Sequence, residues 1–206
     1  MPPRAGSAAG SVTGRVTPEI VSKMFPATPL KNIRQNLPSV LHALDEVALG
    51  DKHMVLMALG TIRAETAGFE PISEFQSRFN TDPGQHPFNK YDNRADLGNK
   101  GAPDGASFKG RGFVQLTGRS NYTRLSKELN MGDRLVTHPE LGNDQTVAAK
   151  ILARFLKDHE AKIRALLSTE PPTRQQLTKA RAVVNGGTHG ADVFIEAYQT
   201  GDKLIR

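Results

Sequence analysis

Apolar residues recur at helical spacing along most of the chain and give way, in the middle, to polar sequence rich in glycine, proline, asparagine and aspartate. Thr17-Pro18 offers a cap followed by a proline at the first helical position, which predicts a short helix through Met24. Leu30, Ile33, Leu37, Leu41 and Leu44 predict helix over 30–49, broken or kinked at Pro38. Asp51 can cap the next helix, with Val55, Leu56, Leu59 and Ile62 on one stripe and Glu65 at the edge of that buried face. Gly68 is placed to stop it.

Residues 77–105 lack helical periodicity, which predicts long loops with at most a hairpin near 91–97. So long an irregular stretch in a compact domain is usually functional or mobile. Residues 106–117 favour a strand, in which Gly110 and Gly112 suggest bulges or a close approach of the backbone to a ligand. Helix resumes over 119–129 with Tyr122, Leu125 and Leu129 inward, and the longest helical pattern covers 144–167. Thr173 and Gln176 form a capping box for a helix that stops at Asn185-Gly186-Gly187, and a last helix over 191–200 ends at Gly201. The first sixteen residues hold almost no large apolar side chain and are expected to be a flexible tail. The pattern therefore predicts a mostly helical α+β protein: a tail at 1–16 and a single domain at 17–206, with a small β element beside a cleft.

Composition narrows the chemistry. The 206 residues suit one domain with a real core, and no apolar run approaches the length of a membrane span. No cysteine is present, which excludes disulfides, thiolate nucleophiles and cysteine-ligated zinc. The six histidines show no i, i+4 pairing and no HExxH, so a metal site is not expected. A net charge of +6 favours an anionic partner, but the basic residues are scattered, which argues against nucleic acid. The N-terminus has no apolar core of the secretory type, so the expected route is synthesis in the cytoplasm and action elsewhere after release or injection by other means. A monomer without membrane insertion is expected.

One acidic residue stands apart. Glu65 lies where the negative end of a helix dipole and an apolar neighbourhood both disfavour the ionised form, as a general acid near neutral pH requires. For an isolated glutamate the commoner explanation is a solvated surface charge.

Four segments, in order, carry a resemblance: AETAGF, KGRGFVQLTGRSNY, HPELG and VVNGG. Together they are similar to the signature of glycoside hydrolase family 19, the chitinases and chitinase-like endolysins, over about residues 54 to 200. YDNRADLGN and DGASFKGRG resemble its compact phage and bacterial branch. The resemblance implies a lysozyme-like fold and inverting hydrolysis of β-1,4 bonds between N-acetylated aminosugars, without a cofactor or metal. It places Glu65 as the general acid and Glu74 as the base, with Gln76, Gln115, Thr117, Asn121, Tyr122 and Asn185 around the sugar polymer, on whose faces the aromatic side chains of Tyr91 and Phe108 could stack. Glu70, Asp92 and Asp96 compete with Glu74 for the second carboxylate. Three positions depart from the pattern: Ala64 stands where a histidine is usual, Gln76 where a hydroxyl residue is, and Val193 where an arginine is often found.

Each of these residues has a plainer role open to it. Gln115 and Thr117 could satisfy backbone groups at a sheet edge, Asn121 sits in the first turn of a helix, and Asn185 suits a helix C-terminus. Lys109, Arg111 and Arg119 could pair internally instead of attracting an anionic wall, and Phe108 could be core. The expected substrate is peptidoglycan, cut by a lytic enzyme acting at the cell wall after phage-type release or injection. Chitin is the alternative polymer, and a sugar-binding protein without turnover is the alternative class.

Overall fold

The computed structural model describes residues 10–187 and 189–206; most of the expected tail, 1–9, lies outside them. In chain order the helices are α1 (Pro18–Met24), α2 (Leu30–Glu46), α3 (Lys52–Glu65), α4 (Asn89–Asp92), α5 (Asp104–Ser107), α6 (Arg119–Glu128), α7 (Arg134–Thr137), α8 (Gln145–Asp158), α9 (Glu160–Leu166), α10 (Arg174–Asn185) and α11 (Ala191–Leu204). Two strands, β1 (Ile72–Ser73) and β2 (Arg111–Gly112), pair antiparallel with Ile72 opposite Gly112. The chain forms two compact units, one from the described residues up to Glu70 together with Leu152–Arg206, the other Pro71–Ile151.

The first unit is organised around α3. Asp51 accepts a hydrogen bond from the Met54 amide, and every residue from Met54 to Ile62 is buried. The helix is thus apolar all round, not along one stripe, as befits the centre of a helical layer. Gly60 lets the Phe194 ring of α11 approach; a Cβ there would lie 2.8 Å from that ring. Gly201 plays the same part against Leu56 and Met24, which is why α11 runs through it to Leu204 instead of ending there. Likewise α2 continues through Pro38, because Leu37 and Val40 on either side are buried and hold the helix against the lost backbone bond.

Two further expectations are corrected in or beside this unit. Val12 and Val16 are buried around a 3₁₀ turn at Thr13–Arg15, and the Val12 amide donates to the Gly50 carbonyl, so 12–16 pack as structure and not as tail. The long helical pattern over 144–167 is split at His159, whose ring nitrogen Nδ1 lies 2.8 Å from the Phe155 carbonyl.

The second unit buries Phe108, Leu116, Tyr122, Leu125, Leu135 and Ile151 together. Its 77–105 segment holds short helical turns, with no hairpin near 91–97. The strand expected over 106–117 shrinks to two residues, because Arg111 pairs back onto Leu116 and Gln115 adopts φ 51°, turning the chain at once.

Candidate active site

The two candidate carboxylates have separate surroundings, one in each unit. Glu65 is the last residue of α3. Its helix ends one residue on, at Thr66, and the left-handed positions that follow belong to Ala67 and Phe69, not to Gly68. Three side chains hold that exit: Thr28 Oγ1 donates to the Ala67 carbonyl, Asn32 Nδ2 to Gly68 at 3.0 Å, and Asn36 Nδ2 to Phe69 at 3.0 Å. Phe69 is fully buried against Phe25, their ring centroids 4.9 Å apart. A non-glycine residue at positive φ costs free energy that only such surroundings repay.

Glu65 Oε1 accepts from Arg181 Nη2 at 2.5 Å. Among the described residues Glu65 Oε2 accepts no hydrogen bond. Arg181 is 1% exposed, its Nη2 also reaches the His189 carbonyl at 3.4 Å, and its Nε and Nη1 have no hydrogen-bond partner among the described residues. Sequence reasoning missed this arginine, although it sits four residues after Leu177 on the buried face of α10, where a charge signals a partner. Ala64 also finds a reason here, since its methyl group faces Gly190, where an added Cβ would come within 3.2 Å.

Asn185 is occupied with the turn that follows α10. Its Nδ2 donates to the His189 carbonyl at 2.9 Å and its Oδ1 accepts from the Gly187 amide at 3.0 Å. Gly186 takes the left-handed conformation that ends the helix.

Glu74 directly follows β1, and its amide donates to the Gly110 carbonyl at 2.7 Å, extending the ladder by one residue. Three neutral donors meet its carboxylate: Tyr91 Oη at 2.8 Å and Asn80 Nδ2 at 2.9 Å on Oε1, and the Gly110 amide at 3.2 Å on Oε2. A Cβ at Gly110 would lie 2.8 Å from Gln115 Oε1 and 3.2 Å from Glu74 Oε2, so the close approach of the backbone is to these two side chains. Burial, and after it the hydrogen bond to Glu74, push the Tyr91 hydroxyl up to about 12, which keeps it a donor. Asn80 is a residue that sequence reasoning could not single out, being one polar side chain in a polar loop.

The competitors of Glu74 are accounted for. Asp92 is buried, with Oδ2 2.6 Å from His86 Nε2 and Oδ1 accepting from the Gly105 amide at 2.9 Å. Asp96 is exposed and paired with Arg94, whose guanidinium holds its carboxyl below the usual range. Glu70 is exposed and belongs to the other unit.

The remaining candidates divide. Gln76 is exposed and lines a groove of about 480 Å³ with Ser77, Arg78 and Gln85. Gln115 Nε2 donates to the Ile72 and Gly112 carbonyls at 3.1 and 3.2 Å, and Thr117 Oγ1 to the Gln115 carbonyl at 2.9 Å. These side chains close the β turn, and the left-handed Gln115 voids the alternation that would have put both on one face. Asn121 Nδ2 donates to the Thr117 carbonyl at 2.9 Å. Tyr122 does not line a groove: it is fully buried, donates to the Lys109 carbonyl at 2.9 Å and accepts from Arg111 Nη1 at 3.0 Å. Phe108 stacks edge-on against it in the core. Arg111 is buried and Arg119 is paired with Asp104, so two of the three basic residues near the motif serve internally. Asn143, also missed, ties both strands, accepting from the Gly112 amide at 3.0 Å and donating to Ser73 Oγ at 2.8 Å. Among the described residues no group of three His, Cys, Asp or Glu side chains assembles that would hold a metal ion.

Comparison with known proteins places the fold. Chitinase C from Streptomyces griseus matches it with a TM-score of 0.53 over 98% of this chain and 79% of that one, at 19% identity. The chain is therefore an α+β, mostly helical protein with the lysozyme-like fold. A glycosyl hydrolase family 19 domain-containing protein of Haemophilus influenzae is 28% identical over 109 residues, 53% of this chain. The chain spans about half, 48%, of that relative's length. No family model matches. The sequence relative carries the family name that the four motifs pointed to, glycoside hydrolase family 19.

Proposed function

We propose that the chain is an inverting glycoside hydrolase that cuts β-1,4 bonds between N-acetylated aminosugars, with Glu65 as general acid and Glu74 as general base. The observation that carries this reading is the contrast between the two carboxylates. Among the described residues Glu65 is anchored through Oε1 alone, and Oε2 is the oxygen proposed to carry a proton to the departing glycosidic oxygen. Glu74 is met only by donors, the state in which a carboxylate can take a proton from water. Water losing its proton to Glu74 attacks the anomeric carbon from the face opposite the leaving group, the C–O bond breaks, and the freed hydroxyl keeps the proton from Glu65. Arg181 and Tyr91 hold the two carboxylates and do not themselves react.

The proposed polymer is peptidoglycan, in keeping with the net charge of +6 and the likeness of the central motifs to the compact branch. Chitin is a second reading, favoured by the chitinase among the structural neighbours. The test is product release from purified peptidoglycan and from chitin oligomers, with the reducing ends identified by mass. Release from peptidoglycan that stops in a folded Glu65→Gln variant supports the proposal. Release from chitin alone moves the substrate, and tight binding without product from either polymer replaces the enzyme by a sugar-binding protein.

A further inference from the structure

Immediately after Glu74 the chain does something costly. Phe75 and Phe79 are 77% and 76% exposed, the only large apolar side chains so placed among the described residues. Leaving a phenylalanine in water forgoes roughly 1.5–3 kcal/mol relative to burying it. The turn that displays them is nonetheless tightly built. Asn80, 1% exposed, donates through Nδ2 to the Phe75 carbonyl at 2.9 Å as well as to Glu74, and accepts through Oδ1 from the Ser77 amide at 2.8 Å and Thr81 Oγ1 at 2.9 Å. Thr81 Oγ1 accepts in turn from the Phe88 amide at 2.9 Å, and Lys90 Nζ donates to the Arg78 carbonyl at 2.8 Å. One buried side chain thus fixes both the Glu74 carboxylate and the turn bearing the two rings.

We infer that Phe75 and Phe79 are a stacking platform for the pyranose rings of an aminosugar polymer, held in register with Glu74 by Asn80. The inference rests on the glycosidase reading above for the identity of the polymer. The groove formed by the same turn is lined by the amides of Gln76 and Gln85 and the hydroxyl of Ser77, which suit sugar hydroxyl and acetamido groups. Its volume of about 480 Å³ falls within the roughly 300–1,000 Å³ of small-ligand sites. Aromatic rings take the apolar C–H face of a sugar while polar neighbours take its edge, and pre-ordered rings bind without an ordering cost. The Arg78 guanidinium lies 5.0 Å from the centre of the Phe79 ring, which stays 76% exposed, and Lys90, the other cation at this turn, is paired with Asp82 at 3.2 Å, a partly neutralised charge that disfavours an anionic lipid surface.

The test uses the full chain with ¹³C-labelled phenylalanine, the two exposed rings being assigned from Phe75→Ala and Phe79→Ala. Titration with the hexamer of N-acetylglucosamine should shift both ring resonances, and the double variant should bind sedimented peptidoglycan about tenfold more weakly than wild type. Unshifted rings and equal binding overturn the platform, and if both proteins still release product the glycosidase reading stands without it. Shifted rings and weakened binding, with no product from either protein, keep the platform and remove the glycosidase. Rings that respond to anionic vesicles but not to sugar, or a wild-type dimer that the double variant dissolves, would assign the rings to a membrane or to a second copy and so overturn the inference.

Discussion

Glu65 and Glu74 are the same residue in two unlike settings. Glu65 closes a fully buried helix and leans on a buried arginine, so its position is set by the core of the first unit. Glu74 begins a loop and leans on a tyrosine, an asparagine and one amide, all neutral. A charge partner buried at 1% exposure ties the first carboxylate to the core by an ion pair, whereas the second is held only by neutral hydrogen bonds from a polar turn. Reactivity and stability should therefore be coupled at Glu65 and separable at Glu74.

The largest effect expected is on turnover. Glu65→Gln and Glu74→Gln should each lower hydrolysis by about 10²–10⁴-fold, measured as reducing ends released. Equal activity in either variant breaks the assignment. The next effect sharpens the contrast. Glu65→Ala leaves Arg181 buried without a counter-ion and should cost about 3–5 kcal/mol, read from denaturant unfolding. Glu74→Ala strands only partly solvated donors and should cost about 1–3 kcal/mol. The reverse order would place the structural charge in the wrong unit. Tyr91→Phe removes one donor to the carboxylate and should slow turnover about tenfold, with unfolding changed by less than about 1.5 kcal/mol. The smallest effect separates acid sensitivity from Glu74. The Arg119 guanidinium holds the Asp104 carboxyl below its usual range. Its stabilisation is therefore complete above the ordinary carboxylate value of about 3.9 and is lost as pH falls through the lower folded value. Asp104→Asn should flatten that acid decline by about 1 kcal/mol or less, seen in thermal melts from pH 5 to 2.

The helix starts were legible wherever a side chain made the cap itself. Thr17 accepts from the Ile20 amide, Asp51 from Met54 and Thr173 from Gln176, all local hydrogen bonds that sequence spacing encodes. Of the stops, that of α10 at Asn185, with Gly186 left-handed, was legible in the same local way, but others depend on what packs from afar. Gly201 is a contact glycine inside α11, Gly68 gives its expected role to Ala67 and Phe69, and Pro38 is carried by buried neighbours. At the candidate site Glu65 was named through the AETAGF motif and Glu74 through its place nine positions further on. Arg181 and Asn80 were not, since each meets its carboxylate only after the chain has folded back, across 116 positions in one case and through a short irregular turn in the other. Tyr122 was misplaced because a phenol in a motif reads as a sugar contact until its hydroxyl is seen spent on Lys109 and Arg111.

The most direct test of the central claim is the anomeric configuration of the first product. Proton NMR during the first minutes of cleavage of soluble glycan strands should show the α-anomer at the new reducing end, with the β-anomer growing in later by mutarotation. An initial β-anomer would mean retention and contradict the pairing of Glu65 as acid with Glu74 as base.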